Sequence, residues 1–321
     1  MIILFVIKQQ IRKRFLMMTS KVLVTGGTGF LGKRLKKYKP NWIYISSKQY
    51  NLINEKDCDQ MLNDIKPDAI LHLASKVGGI KENSLKQAEF YYNNTMINTN
   101  VLECARKHNV QRVLSSLSTC AYPNILPNYP FSEEDLFNGS PAETNFSYGY
   151  TKRALHVQTL SYRKQYGLDY STFCPSNIYG PEDNFNPESS HFVPALVRKI
   201  SESKNGDTLE FWGTGKPLRQ QLYVDDLVKI IPMLLEKHNS SLPIIVSPNE
   251  NLSISKMIEI AIKTIKKDVD VVYNNKLDGQ YRKDGSNSEF LSLVGDFKFT
   301  NFEDGFKSTY EWYKENQGRL N

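Results

Sequence analysis

The stretch Lys21-Val22-Leu23-Val24-Thr25-Gly26-Gly27-Thr28-Gly29-Phe30-Leu31-Gly32 decides the fold. Its first five residues, rich in apolar and β-branched side chains, read as a short buried strand, while Phe30 to about Tyr38 reads as a helix. Between them, Gly26, Gly29 and Gly32 are spaced GxxGxxG. Glycines at that spacing permit a tight turn and let the backbone approach a pyrophosphate. The first N–H groups and the dipole of the following helix then favour the anion. An ordinary glycine-rich turn is the alternative. The order strand, turn, helix, strand favours dinucleotide binding.

Outward from this turn the pattern repeats. Trp42–Ser46, Asp68–Ala74, Arg112–Leu117 and Tyr170–Cys174 read as further strands, the last halted by Pro175. Thr95–His108 has helical periodicity, with Ile97, Val101, Leu102 and Ala105 on one side, and Thr151–Tyr166 reads as a long helix ended by Gly167. This alternation predicts an α/β protein with a Rossmann-type, doubly wound parallel sheet covered on both faces. After Pro175 the pattern loosens. Residues 176–191 are rich in Asn, Pro, Gly and Ser and read as a long functional loop. Leu209–Trp212 and Gln221–Val224 read as short strands around a glycine-rich turn. Asp225–Lys237 and Ser255–Lys267 read as helices, with Ser253 and Ser255 both candidate caps for the second. The expected organisation is an extension over 1–19, an NADP-binding domain over 20–175 to which 221–247 returns, and a smaller C-terminal α/β substrate domain from 176–220 and 248–321.

Composition narrows the function. A chain of 321 residues, 40% hydrophobic and 23% charged, can bury a full core and is not a disordered segment. The net charge of +7 suits an anionic partner. Lys and Arg are spread along the chain rather than gathered, which favours a phosphorylated small molecule over nucleic acid. Cys58, Cys104, Cys120 and Cys174 form no CxxC pair and have no His at zinc spacing, so neither a metal site nor a disulfide framework is expected, and a reducing, cytoplasmic setting fits. The apolar stretch Met1–Ile7 is too short to span a membrane, and its basic residues follow it instead of preceding it as in a secretory signal.

Two residue groups carry chemistry. At the end of the second strand, Ser46-Ser47-Lys48 stands where an Asp or Glu would bind the ribose 2′-hydroxyl of NAD; hydroxyls and a cation suit the 2′-phosphate of NADP. A solvated strand-end lysine is the plain alternative. Tyr148 and Lys152 lie four residues apart, on one face of a helix. A nearby ammonium is expected to lower the phenol's pKa, so that the tyrosine can trade a proton with a carbonyl. Ser118, at the end of the fourth strand, is placed to hold the same carbonyl oxygen.

These motifs, together with HLASKVGGI (72–80), LSTCAYP (117–123), SYGYTKRA (147–154), PSNIYGPEDNF (175–185), SHFVPAL (190–196), WGTGKPLRQ (212–220) and DGQYRK (278–283), resemble the nucleotide-sugar-modifying branch of the extended short-chain dehydrogenase/reductase superfamily, and within it the GDP-L-fucose synthase family. The resemblance covers Lys21 to the C-terminus. It implies 3,5-epimerisation and NADPH-dependent 4-reduction of GDP-4-dehydro-6-deoxy-D-mannose, in a homodimer formed through the helices around 95–108 and 151–166. It implies Cys120 and His191 as the epimerisation acid/base pair, with Ser118, Tyr148 and Lys152 serving the reduction. It implies cofactor contacts from Gly26, Gly27, Thr28, Gly29, Phe30, Leu31, Gly32, Ser46, Ser47, Lys48, Leu73, Ala74, Leu117, Lys152, Pro175, Ser176, Asn177, Ile178 and His191, and substrate contacts from Lys199, Trp212, Arg219 and Asp278. Thr28 departs from relatives that carry a basic residue in the turn. An NAD(P)-dependent epimerase or reductase of another nucleotide sugar, and a non-catalytic NADP-binding regulator on the same fold, stay open as alternatives.

Overall fold

A computed structural model of the chain describes residues 21–78, 85–276 and 278–319. The expected extension over 1–19 and the Gly79-Ile80 end of one motif lie outside the described residues. The chain builds a six-stranded, wholly parallel sheet. Its strands are β1 (Val22–Thr25), β2 (Ile43–Tyr44), β3 (Ala69–His72), β4 (Arg112–Ser116), β5 (Asp169–Pro175) and β10 (Ile244–Val246), in the spatial order β10-β5-β4-β3-β1-β2. The chain steps from β1 outward to β2 and then crosses to β3 on the other side. The order therefore reverses at β1, and a crevice opens beyond its carboxyl end, where the glycine turn lies.

Helices cover both faces. On one side α2 (Glu55–Ile65), α3 (Gln87–Lys107) and α4 (Phe146–Tyr166) enclose a core containing Leu23, Ile70, Val113, Leu102, Leu155 and Cys174. On the other, α1 (Phe30–Tyr38) and α6 (Val224–Lys237) enclose Val24, Leu71, Leu114, Phe173, Leu227 and Ile231. Near-continuous burial along β1, β3 and β5 is what a strand covered on both faces requires. A third core joins Phe185, Val197, Met257, Phe302 and Tyr313 beneath α5 (Phe192–Glu202), α7 (Ile254–Ile265) and α9 (Phe302–Asn316), with the parallel pair β7 (Thr208–Phe211) and β12 (Asp270–Tyr273) at its side. The strands β6 (Asn177–Tyr179) and β9 (Gln221–Tyr223) pair in parallel, and β8 (Leu218–Arg219) pairs with β11 (Leu252–Ser253). The short helix α8 (Ser288–Val294) sends Phe290 into the second core.

Several elements differ from their sequence reading. The helix α3 begins at Gln87, eight residues before the expected Thr95, through an Asn-rich stretch that propensity disfavours. The buried asparagines account for this. Asn94 donates to the Phe90 and Lys76 carbonyls at 2.9 and 3.0 Å, and Asn100 to the Leu52 carbonyl at 3.0 Å. The helix α4 begins at Phe146 rather than Thr151, so Tyr148 sits inside the helix. A short 3₁₀ turn over Glu143–Asn145 runs straight into it, and Phe146 packs against Tyr150 with ring centroids 4.7 Å apart. The strand expected over 42–46 keeps only Ile43–Tyr44, and the loop expected over 176–191 contains β6. Pro175 is the last residue of β5 rather than the first beyond it, and stands in register with Val246. Ser253, not Ser255, caps α7, accepting from the Lys256 N–H at 3.1 Å.

Candidate active site

The site lies where the carboxyl ends of β1, β3, β4 and β5 meet the loops that follow them. The turn after β1 is closed by Gly29 N–H donating to the Gly26 carbonyl at 3.0 Å and by Gly27 N–H reaching Ile45 of the neighbouring strand segment at 2.9 Å. A Cβ at Gly32 would sit 2.4 Å from the Gly26 oxygen and 2.7 Å from Gly27 Cα, so only glycine lets α1 start this close to the turn. Gly29 is the N-cap and no side chain caps the helix. The first-turn N–H groups of Phe30 and Leu31 are thus left to an external anion. This cradle fits a dinucleotide pyrophosphate.

Beneath it runs a buried polar line. Thr25 Oγ1 lies 2.8 Å from His72 Nδ1 and accepts from the Leu73 and Ala74 N–H groups at 3.1 and 3.2 Å, while His72 Nε2 lies 3.1 Å from Asn98 Oδ1. Burial, then the charge of Lys152, drives the His72 pKa down to about 4, so the ring is neutral and structural. It fixes the β3 exit that carries Leu73 and Ala74. Ser46 is half-buried at the end of β2, with Ser47 and Lys48 exposed beside it, open to a ribose phosphate. At the end of β5, Ser176 Oγ is buried without a hydrogen-bond partner in the protein, and Leu117 N–H is spent on the Phe173 carbonyl at 2.7 Å. Asn177 and Ile178 continue from Ser176 as β6.

The catalytic candidates converge from β4 and α4. Ser118 caps a 3₁₀ turn over Thr119–Ala121, accepting from the Cys120 N–H at 3.2 Å. Ser75 and Ser118 both face the Tyr148 phenol and draw its pKa down. Gly149 permits this meeting: a Cβ there would sit 2.5 Å from the Cys120 carbonyl oxygen. Lys152 is buried and donates from Nζ to the Ser116 carbonyl at 2.8 Å, with Nζ 5.6 Å from the Tyr148 ring centre. Burial lowers its pKa to about 8, against the opposing pull of Cys174 and Cys120.

The expected acidification of Tyr148 does not occur. Burial raises the phenol's pKa, and the nearby Cys120 adds to it, outweighing hydrogen bonds from Ser75 and Ser118. Cys120 goes the other way. Burial alone would raise its pKa, but the charge of Lys283, hydrogen bonds from Ser118 and Lys283, and the charge of Arg219 together lower it.

His191 is the N-cap of α5 and is exposed overall, as a group on an open cleft wall is. The protein crowded around its imidazole, and then Lys283, lower its pKa. Lys283 thus acts on both members of the expected epimerisation pair.

The expected substrate residues are spread along the far wall. Arg219 on β8 is half-buried and feels both Asp278 and Cys120. Lys199 on α5 is exposed, donates to the Glu210 carbonyl and lies 4.7 Å over the Phe211 ring. Trp212 is 79% exposed, not packed in a core. Asp278 is engaged within the protein: its two oxygens accept from the Thr214 N–H at 2.6 Å and the Thr214 hydroxyl at 2.7 Å. It shapes the glycine turn that displays Trp212.

Two residues escaped the sequence reading. Ser75 sits one residue beyond Ala74 in a quoted motif; its hydroxyl donates to Asn94 Oδ1 at 2.8 Å and draws the phenol's pKa down. Lys283 closes the DGQYRK motif, from which only Asp278 was singled out; its Nζ lies 3.1 Å from Cys120 Sγ.

Residues 22–278 match the model of the NAD dependent epimerase/dehydratase family. The chain is 36% identical over 311 residues to GDP-L-fucose synthase of Dictyostelium discoideum, across 93% of this chain and 97% of that one. It is 31% identical to GDP-L-fucose synthase of Escherichia coli (strain K12), across 95% and 99% of the two chains. The crystal structure of a GDP-L-fucose synthetase from Naegleria fowleri bound to NADP aligns with a TM-score of 0.86 at 33% identity, covering 94% of each chain. A sheet reversing beside a glycine turn, a Ser/Tyr/Lys group at its mouth and these full-length matches agree: the chain belongs to the NAD dependent epimerase/dehydratase family and, within it, to the GDP-L-fucose synthases.

Proposed function

We propose that this chain converts GDP-4-dehydro-6-deoxy-D-mannose to GDP-L-fucose, by 3,5-epimerisation and NADPH-dependent 4-reduction at one site. The observation that carries this reading is the convergence of Ser118, Tyr148 and Lys152 at the mouth of the glycine-turn cradle, with Cys120 alongside.

The hydrogens at C3 and C5 flank a carbonyl. They are removable only because the electron pair left behind moves onto the carbonyl oxygen. The Ser118 and Tyr148 hydroxyls are the donors that hold that oxygen. Cys120 takes the proton as a thiolate: the C–H bond breaks, an S–H bond forms, and the pair moves to the oxygen. His191, as imidazolium, returns a proton to the opposite face, and solvent resets both groups. Its lowered pKa makes the protonated ring a stronger acid. NADPH, when bound, supplies the hydride that reduces C4. Tyr148 then gives its phenolic proton to the C4 oxygen. A phenol with a raised pKa is fully protonated at neutral pH and suits this donor role. Lys152, anchored to Ser116, is the cation that faces the phenolate left behind.

Ser47 and Lys48 suit the 2′-phosphate, and Gly26–Gly32 with Leu73, Ala74, Leu117 and the 175–178 segment suit the rest of the cofactor. Arg219 and Lys199 suit the diphosphate of the substrate, since a guanidinium fork and an ammonium both match phosphate oxygens. Segments 20–175 and 221–247 form the cofactor side, and 176–220 with 248–321 the substrate side. The apolar groups Tyr91, Tyr92, Phe146 and Val157, exposed on α3 and α4, suit a homodimer seam. The four free cysteines suit the cytoplasm. Among the described residues no helix is long and apolar enough to cross a membrane.

Incubation with GDP-4-dehydro-6-deoxy-D-mannose and NADPH tests the reading. One NADPH is consumed per sugar, with UDP-keto-sugars and NADH inferior. Cofactor oxidation with a UDP-keto-sugar but not the GDP-sugar overturns it.

A further inference from the structure

We propose that Lys283 is a positioning residue for the epimerisation: its ammonium, presented 3.1 Å from Cys120 Sγ by a clamped strap, holds that sulfur as the thiolate that removes the ring protons. The inference rests on the functional reading above for the thiolate's task, but the charge coupling itself stands on the geometry.

The strap is 282–287, and its backbone is tied down at Asp284, Gly285 and Ser286, directly after Lys283. Phe131 N–H donates to the Asp284 carbonyl at 2.9 Å, and Ser286 N–H donates to the Phe131 carbonyl at 2.7 Å. Gly285 N–H donates to Gln220 Oε1 at 2.9 Å, and the Gly285 carbonyl accepts from Ser247 Oγ at 2.8 Å. Asn287 Nδ2 donates to the Ser247 carbonyl at 2.9 Å. Arg282 and Asp284, on either side of Lys283, form an ion pair with each other. Asp284 is thereby kept from competing for the lysine. A long flexible side chain loses much of its freedom cost when its backbone is already fixed.

The other groups facing the sulfur do not supply a second direct cation. Arg219, from β8, acts on Cys120 through its charge, while its Nη1 donates to the Leu218 carbonyl at 2.7 Å. Lys152, from α4, is committed to Ser116. Tyr148, from α4, and Cys174, from β5, are buried acids whose pKa values are raised, so they stay neutral. Ser118 contributes a hydrogen bond. Among the described residues, Lys283 is the cation whose nitrogen is within hydrogen-bond distance of Sγ. An opposite charge at such range typically shifts a titration by about one to three pH units.

The test is alkylation of Cys120 by iodoacetamide in the full chain, followed from about pH 5 to about pH 10. C120S is the blank for Cys58, Cys104 and Cys174. In K283M the midpoint of the alkylation profile rises by about one unit or more, and the rate near pH 7 falls about tenfold. In K283R, which keeps the charge, the midpoint returns most of the way to wild type. Both variants are checked for retained NADPH binding. Superimposable wild-type and K283M profiles overturn the proposal, as does a K283R profile that matches K283M. A shifted profile in a chain that consumes no NADPH with the GDP-keto-sugar supports the coupling and overturns the functional reading instead. Deuterium exchange at C3 and C5 should fall in K283M with the thiolate fraction, leaving the NADPH affinity unchanged.

Discussion

Adding one methyl group at Gly149 tests how closely the two halves of the site depend on each other. In Gly149→Ala the new Cβ would sit 2.5 Å from the Cys120 carbonyl oxygen and 2.8 and 3.0 Å from the Pro141 ring, against ordinary contact beginning at 3.4 Å. The nearest obstacle is backbone and cannot swing aside. Either the start of α4 or the Ser118–Ala121 turn must retreat by roughly 0.9 Å. Such overpacking costs about 1–3 kcal/mol of stability. A displacement of about 1 Å between groups that must meet one carbonyl costs about 10²-fold in rate. We expect kcat to fall about 30- to 100-fold, with NADPH affinity near wild type because the glycine-turn cradle is untouched. The assay is steady-state NADPH oxidation with the GDP-keto-sugar, beside thermal unfolding. Gly167→Ala is the control. It strains a left-handed φ of +67° but meets nothing within 4 Å, so it loses about 1 kcal/mol without the loss in kcat. A Gly149→Ala enzyme with kcat within about twofold of wild type, or equal rate losses in the two variants, would refute the reasoning.

Other consequences can be checked independently. Tyr148→Phe should cut NADPH oxidation by about 10²- to 10⁴-fold, as loss of a proton donor does, while deuterium exchange at C3 and C5 falls less; equal losses would contradict the separate roles. Thr25→Val leaves two buried N–H groups without their acceptor and His72 Nδ1 without its donor, and should destabilise by about 1–3 kcal/mol in urea unfolding. His72, His156 and His238 are each held down to about 4 by burial. The unfolded chain therefore binds protons that the native chain does not. Stability is full above about pH 6.5 and falls as pH drops toward 4, less steeply in His72→Gln; a flat profile would contradict the burial. Lys152, lowered to about 8, acts with the same sign in a higher window. Between about pH 8 and 10 the wild type should gain stability relative to Lys152→Met, because relief of the buried charge is complete only when the amine is neutral.

Local pattern made much of this legible. The first strand, the glycine turn and the helix Phe30–Tyr38 are contiguous, and the Tyr148/Lys152 spacing is a single helical turn. What was not legible depends on distant chain. The early start of α3 is held by Asn94, whose side chain meets the Lys76 carbonyl outside the helix. Lys283 meets Cys120 across 163 residues. The direction of the Tyr148 shift turned on burial, which the spacing of an amine does not report. The contact of the Asp278 carboxylate with Thr214, which holds the Trp212 turn, likewise joins residues 64 apart.

One measurement tests the central claim most directly. Turnover of the GDP-keto-sugar in D2O with NADPH should give a product carrying deuterium at both C3 and C5 and protium at C4, since solvent protons pass through Cys120 and His191 while C4 receives its hydrogen from the cofactor. A reduced product with protium at C3 and C5 would mean that the thiol and imidazole perform no proton exchange at this site.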